Sequence, residues 1–314
     1  MSNSFLSLLI LLVLYIFSAS AQPYEDYDDK SSLYPTKSDT VFSLEVPTLD
    51  ETTFDNLLSF GYYRKTCPQF ESILHNKVKE WILKDYTLAA SLMRLHFHDC
   101  SVRGCDGSIL LKHDGSERTA HASKTLRGFE VVDDIKAELE KQCPKTVSCA
   151  DILTAAARDA TFELGGLIGL FLMVGRMGKG AHTIGRISCG SIQYRLYNNQ
   201  GTGKPDPTLD PKYVNFLQSK CRWASEYVDL DATTPKTFDN VYYINLQKKM
   251  GLLSTDQLLY SDPRTSPLVS ALIASHSVFE HQFAVSMGKL GIVDVLTDQD
   301  EGEIRTNCNF VNAY

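Results

Sequence analysis

The sequence predicts a mainly α-helical chain with one folded domain, and three observations carry that prediction. From Cys67 onward apolar residues recur at the three-and-four spacing of a helix face. No alternating apolar/polar run of strand length appears. Finally, there is no internal repeat or low-complexity tract to suggest more than one unit.

Residues 1–21 hold an apolar stretch from Phe5 to Phe17 followed by Ala19-Ser20-Ala21, a small-residue pattern suited to signal peptidase. The stretch reads as a secretory signal peptide, with a signal anchor as the alternative because no Lys or Arg precedes it. Nothing later approaches ~20 consecutive apolar residues, so no membrane span is expected after signal removal. Residues 22–60 are acidic, with Tyr24-Glu25-Asp26-Tyr27-Asp28-Asp29 and scattered prolines, and read as a flexible N-terminal extension. The folded domain is expected over 61–314.

Within it, Pro68 suits a first helical position, and Ile73, Leu74, Val78, Trp81 and Ile82 follow at helical spacing. A second helix is expected through Thr87-Leu88-Ala89-Ala90-Ser91-Leu92-Met93, which combines good helix formers with an apolar stripe. Further helices are expected at 129–142, 149–163, 240–250, 263–274 and 278–290. Gly201-Thr202-Gly203-Lys204-Pro205-Asp206-Pro207 is a loop by composition.

A formal net charge of -7 without a basic stripe argues against nucleic acid and favours small neutral or cationic partners. The chain has 8 cysteines, all beyond the signal: Cys67, Cys100, Cys105, Cys143, Cys149, Cys189, Cys221 and Cys308. An even number in a secreted chain favours disulfides, and the absence of a C-x-x-C pair weakens a zinc reading. No Asn-x-Ser/Thr sequon occurs.

Arg94 and His98 lie four residues apart in Arg94-Leu95-His96-Phe97-His98-Asp99-Cys100 and so share a helix face. Together they offer a base beside a fixed cation: His98 to accept a proton, Arg94 to stabilise charge as a bond breaks. The alternative is a helix whose charged groups merely reach solvent. Next, Asp99, Asp106 and Ser108, with Gly104 turning the chain, supply the oxygen-rich shell that calcium requires, or else form a hydrogen-bonded polar turn. Asp231, Thr234 and Asp239 repeat this chemistry downstream, where helix capping is the competing reading. His182 sits among small and apolar residues in Ala181-His182-Thr183-Ile184-Gly185, a setting more typical of a core histidine. If it binds a metal through one nitrogen, the other needs an acceptor, and Asp256 is a candidate.

Taken in order, RLHFHDC, GCDGSILL, SERTA, LRGFEVVDDIKAELE, CPKTVSCADIL, AHTIGRISC, GTGKPDP, TPKTFDN, GLLSTDQLLYSD and EGEIRTNC resemble the secretory haem peroxidases of plants (class III), over about residues 60–312. The resemblance implies the plant haem-peroxidase fold, with one haem b between distal and proximal helical halves and two calcium ions. Position by position it makes His98 the distal acid/base, Arg94 the distal cation and Phe97 a distal pocket wall. His182 would be the proximal haem ligand and Asp256 its hydrogen-bond acceptor. The distal calcium site would use Asp99, Val102, Gly104, Asp106 and Ser108, with Glu117 joining it to the haem pocket; the proximal site would use Thr183, Asp231, Thr234, Thr237 and Asp239. The implied bridges are Cys67–Cys143, Cys100–Cys105, Cys149–Cys308 and Cys189–Cys221. The implied activity is reduction of hydrogen peroxide with one-electron oxidation of small phenolic donors, such as lignin or cell-wall phenolics, by a secreted monomer of the cell wall or apoplast, or of the vacuole, serving also in the response to oxidative stress.

The chain departs from the resemblance in one large respect. Only 32 residues separate Cys149 from His182, roughly forty fewer than the family usually places there, a deficit beyond ordinary loop variation. A glycine-rich apolar run, 167–180, stands where the family has part of its central helices, its substrate-access proline and its lead into the proximal helix. Ser101 replaces the usual phenylalanine, and Ser123 or a neighbour stands where an asparagine usually orients the distal histidine. Two alternatives therefore accompany the active peroxidase: a catalytically impaired, calcium-binding wall protein on a peroxidase-like scaffold, and the product of an aberrant transcript or gene model.

Overall fold

The computed structural model describes residues 62–166, 182–291, 293–296 and 302–313, the side chain of residue 289 excepted. The expected signal peptide, the acidic extension and the apolar run 167–180 lie outside the described residues. Eleven α-helices are described: α1 (Tyr62–Thr66), α2 (Phe70–Lys84), α3 (Thr87–Cys100), α4 (Phe129–Gln142), α5 (Cys149–Glu163), α6 (Gln193–Tyr197), α7 (Pro211–Lys220), α8 (Val241–Gln247), α9 (Ser254–Ser261), α10 (Ser266–Ala274) and α11 (His276–Leu290). Besides the helices the described residues include a small antiparallel ribbon that the sequence pattern does not reveal, in which β1 (Arg186–Ser188) pairs Ile187 with Val228 of β2 (Tyr227–Asp229). Three residues per strand are too few to leave a periodic signature.

The helices α2 to α5 form the first packed layer, because each carries an apolar stripe on one face. Leu74 and Val78 of α2, Leu92 and Leu95 of α3, Val131 and Ile135 of α4, and Ile152 and Leu153 of α5 interlock there, all fully buried or nearly so. α5 begins where Ser148 accepts the Asp151 N–H, an N-cap that satisfies one of the orphan donors of the first turn. A second core joins α8, α10 and α11 through Phe238, Phe279 and Phe283, with Phe238 and Phe283 edge to face at 4.6 Å between ring centres. The third gathers Ile192, Leu196, Val214 and Leu217 around the Cys189–Cys221 bridge, between α6, α7 and the ribbon.

The other bridges are Cys67–Cys143, Cys100–Cys105 and Cys149–Cys308, so all four pairs coincide with those the resemblance implies. Bridges of this kind typically stabilise by about 2–4 kcal/mol each. They fasten α2 to the end of α4, and the C-terminal segment to the start of α5.

Two expected helices change at their ends for local reasons. The segment expected from 263 begins at Ser266, because Asp262 accepts the Arg264 N–H and holds a turn there. The segment expected to reach 250 ends at Gln247, where Lys249 turns left-handed with φ 61°.

One buried histidine generates a test of the fold. His96 on α3 is fully buried, and burial pushes its imidazole down to about 4 from 6.5. The unfolded chain therefore binds a proton that the folded chain refuses, so this contribution to stability is complete above pH 6.5 and is lost as pH falls toward 4. Chemical denaturation as a function of pH should show a decline on the order of 3 kcal/mol across that window, and His96→Gln should flatten it.

Candidate active site

α3 carries the distal half of the candidate site. Arg94 Nη1 donates to the Thr125 carbonyl and hydroxyl, both at 3.1 Å, and Nη2 donates to the Ala122 carbonyl at 3.2 Å. The guanidinium is thus aimed by the loop between α3 and α4 and makes no ion pair among the described residues. Phe97 lies one turn on, its ring edge-on to His98 at 6.0 Å between ring centres. His98 is half-buried, and no protein group among the described residues hydrogen-bonds its ring. Ser123 is buried nearby in sequence terms, but no bond joins it to His98. Burial, then the Arg94 charge, lowers the His98 pKa.

The proximal half is built from segments far apart in sequence. His182 Nδ1 lies 2.8 Å from Asp256 Oδ1, and Asp256 is fully buried. Asp256 stands at the third position of α9, and its other oxygen accepts the Leu253 N–H at 2.9 Å, so one carboxylate both caps the helix and holds the imidazole. His182 itself sits on a turn leading into β1, whereas the resemblance would have a helix lead into it. The Tyr242 ring meets His182 edge-on at 6.3 Å. Burial first, and then the Asp256 carboxylate, raises the Tyr242 phenol well above its usual value and keeps it neutral.

A cavity of about 710 Å³ joins the two halves, within the size range of small-molecule and cofactor sites. Its wall includes Arg94, Phe97 and Met93 from α3, His182 and Ile184, and Phe283 and Met287 from α11. His98 is not among the residues that line it. With Nδ1 engaged by Asp256, His182 keeps Nε2 without a protein partner among the described residues. An imidazole whose Nδ1 meets a buried carboxylate and whose ring lines a cavity is the kind of donor that a haem iron takes, so the residues present fit that group.

Two oxygen-rich clusters flank the halves. In the first, Asp99 is buried and accepts the Gly107 and Ile109 N–H groups at 3.0 and 3.3 Å; Ser108 donates to Glu117 Oε1 at 3.0 Å. Glu117 Oε2 is buried with no partner among the described residues. Burial pushes Asp99 up to about 7, with Asp106 and Glu117 adding to it. Gly104 makes the turn at φ 98°, and a Cβ there would meet the Asp294 backbone oxygen at 2.6 Å. Val102 is exposed, and only its carbonyl is available to such a site. In the second cluster, Thr234 Oγ1 lies 3.0 Å from both Asp231 and Asp239, and Thr183 donates to the Asp239 carbonyl. Thr237 is exposed and its hydroxyl is not bonded to the others. Among the described residues no three His, Cys, Asp or Glu side chains gather as a metal site, so a cation in either cluster would depend on hydroxyls and carbonyls as well.

Sequence reasoning missed Asn245, which donates to Asp231 at 2.8 Å, and Arg305, which donates to the Gly107 carbonyl at 2.8 Å. Neither lies in a motif that spacing alone marks as chemical.

The mainly helical fold with its four disulfides is consistent with that of a peroxidase. The sequence matches the Peroxidase family model over residues 74–179 and 176–275, in two pieces that meet within the short junction. The chain belongs to the plant class III peroxidases. It is 48% identical to Peroxidase 7 of Arabidopsis thaliana over 329 residues, covering 92% of this chain and 89% of that protein. It is 38% identical to Peroxidase 28 of Arabidopsis thaliana, covering 81% and 93%, and 39% identical to Peroxidase C2 of Armoracia rusticana, covering 82% and 88%. The alignment with Peroxidase 7 is longer than this 314-residue chain, so it opens gaps on this chain's side.

The electrostatic coupling on α3 is testable. Arg94→Leu should move the His98 pKa upward, toward that of an ordinary histidine, in an NMR titration. An unchanged His98 titration would show that the two side chains do not sense one another.

Proposed function

We propose that this chain is a secreted haem peroxidase that reduces hydrogen peroxide and oxidises phenolic donors in one-electron steps. The observation that carries the reading is the 2.8 Å contact of His182 with the buried Asp256 on the wall of a cavity that Arg94 and Phe97 also line. Bound haem would supply the iron redox chemistry. His182 would hold it through Nε2, and Asp256, by accepting the Nδ1 proton, would give the ring imidazolate character. His98 would accept a proton from hydrogen peroxide and return it to the departing oxygen, its lowered pKa keeping it a base in mildly acidic surroundings. Arg94, already aimed by the Thr125 and Ala122 carbonyls, would stabilise the separating charge.

The four bridges fit a secreted product. Calcium would occupy the two oxygen-rich clusters, where the unpartnered Glu117 oxygen and the buried Asp99 and Asp231 carboxylates call for a cation. A second reading, a calcium-binding wall protein with little turnover, is favoured by the family match in two pieces and by a cavity lining that does not include His98.

Refolded protein mixed with haem should develop a strong Soret band and oxidise guaiacol with hydrogen peroxide; no Soret band from folded protein would leave only the second reading. His98→Leu should keep the band while slowing the reaction with peroxide by roughly 10²–10⁴, and His182→Ala should lose it. Chelation of calcium should lower the thermal midpoint, and Asp99→Asn should remove part of that sensitivity.

A further inference from the structure

Arg195 on α6 is the largest fully buried side chain of the described residues, and nothing in the proposed chemistry uses it. Its Nη1 donates to two consecutive carbonyls, Gly251 at 2.7 Å and Leu252 at 2.6 Å. Its Nε donates to Asp206 Oδ2 at 2.9 Å and its Nη2 to Thr208 Oγ1 at 3.0 Å. Thr208 in turn donates its amide and hydroxyl to Asp206 Oδ1 at 2.9 and 2.7 Å. The Gly-Thr-Gly-Lys-Pro-Asp-Pro loop therefore ends in a bracket that fixes the plane of one guanidinium. That guanidinium fixes the backbone of 251–252.

The residue next in line is Leu253, whose N–H donates to Asp256 Oδ2. Gly251 lies so close to the first turn of α9 that an added Cβ would meet the Gln257 N at 2.9 Å and the Asp256 Cβ at 3.2 Å. Gln257 holds the same backbone from the other side, accepting the Gly251 N–H at 3.2 Å. A displacement of 251–252 must therefore be felt at Asp256, and Asp256 holds His182.

We infer that Arg195 is a positioning residue of the proximal site: through the Gly251 and Leu252 carbonyls it sets the Leu253 N–H against Asp256, and so orients the carboxylate that polarises His182. The inference rests on the reading of His182 as the haem ligand. A fixed guanidinium suits the task because its planar fork loses little freedom on binding several acceptors at once, and because removing it would leave Asp206 buried without its counter-charge.

The test is a cycle of variants of the full haem-loaded chain, read by the reduction potential of the iron and by hydrogen exchange at the Leu253 amide. Arg195→Gln should speed exchange at Leu253 and raise the potential, because a misplaced Asp256 donates less electron density through His182. Asp256→Asn should raise it further, and the double variant should add nothing to Asp256→Asn. Additive shifts, or an Arg195→Gln protein with unchanged potential and exchange, would overturn the inference. Should Arg195→Gln fail to fold, Asp206→Asn removes the charge and turns one of the two accepting oxygens into a donor, loosening the bracket while leaving the Arg195 bonds to Gly251 and Leu252 possible; it should give a smaller shift of the same sign, and no shift would count against Arg195. If the wild-type chain takes up no haem, the ligand reading of His182 fails by itself. Leu253 exchange in haem-free Arg195→Gln or Asp206→Asn then decides whether the bracket positions Asp256.

Discussion

The contact between His182 and Asp256 is the constraint around which the second half of the molecule is organised. A carboxylate taken wholly out of water is costly unless every lone pair that faces the interior is met. Here one oxygen meets the imidazole and the other a helix-terminal N–H, so the same group finishes α9 and fixes a histidine that follows a break in the described chain. The aromatic packing of Phe238, Tyr242 and Phe279 walls off water behind it. Arg195 and Gln257 hold the backbone on which it stands. The orientation of His182 is thus a product of tertiary structure, which explains how a turn can hold it where a helix lead would be expected.

The two halves of the site solve opposite problems. On α3 the polar groups belong to a single helix, so their spacing comes from local geometry and needs only the Thr125 and Ala122 carbonyls to aim Arg94. On the proximal side, 74 positions separate the histidine from its acceptor, and nothing local relates them. A loss of residues before His182 therefore threatens orientation of the proximal ring more than the integrity of the distal pair. His98 does not line the cavity, and no protein group among the described residues hydrogen-bonds its ring to hold its tautomer.

Much of this was legible in the chain, for identifiable reasons. The ends of α4 and α5 coincide with the ranges read from periodicity, because both are amphipathic and begin at strong signals, Gly128 and Ser148. α7 was missed although Asp210-Pro211, Val214 and Leu217 carry its cap and stripe, the surrounding turn residues having masked them. The ribbon was too short to register. Arg94 with His98 could be paired from spacing; His182 with Asp256 could be paired only through the resemblance and chemical need. Arg195 left no signal, because a buried arginine looks in sequence like any surface cation.

The C-terminal segment has a consequence for the order in which the molecule is made. Cys308 closes on Cys149 across 159 positions, Arg305 bonds the Gly107 carbonyl, and the Asn309 carbonyl accepts the Lys112 N–H. The loop that carries Asp106 and Ser108, just after α3, is thus braced by residues far later in the chain, Arg305 on Gly107, 198 positions on, and Asn309 on Lys112. A growing chain would hold Cys149 as an unpaired thiol, and this loop unbraced, until Cys308 had emerged 159 positions later, so the distal half stays open to thiol mispairing over that interval.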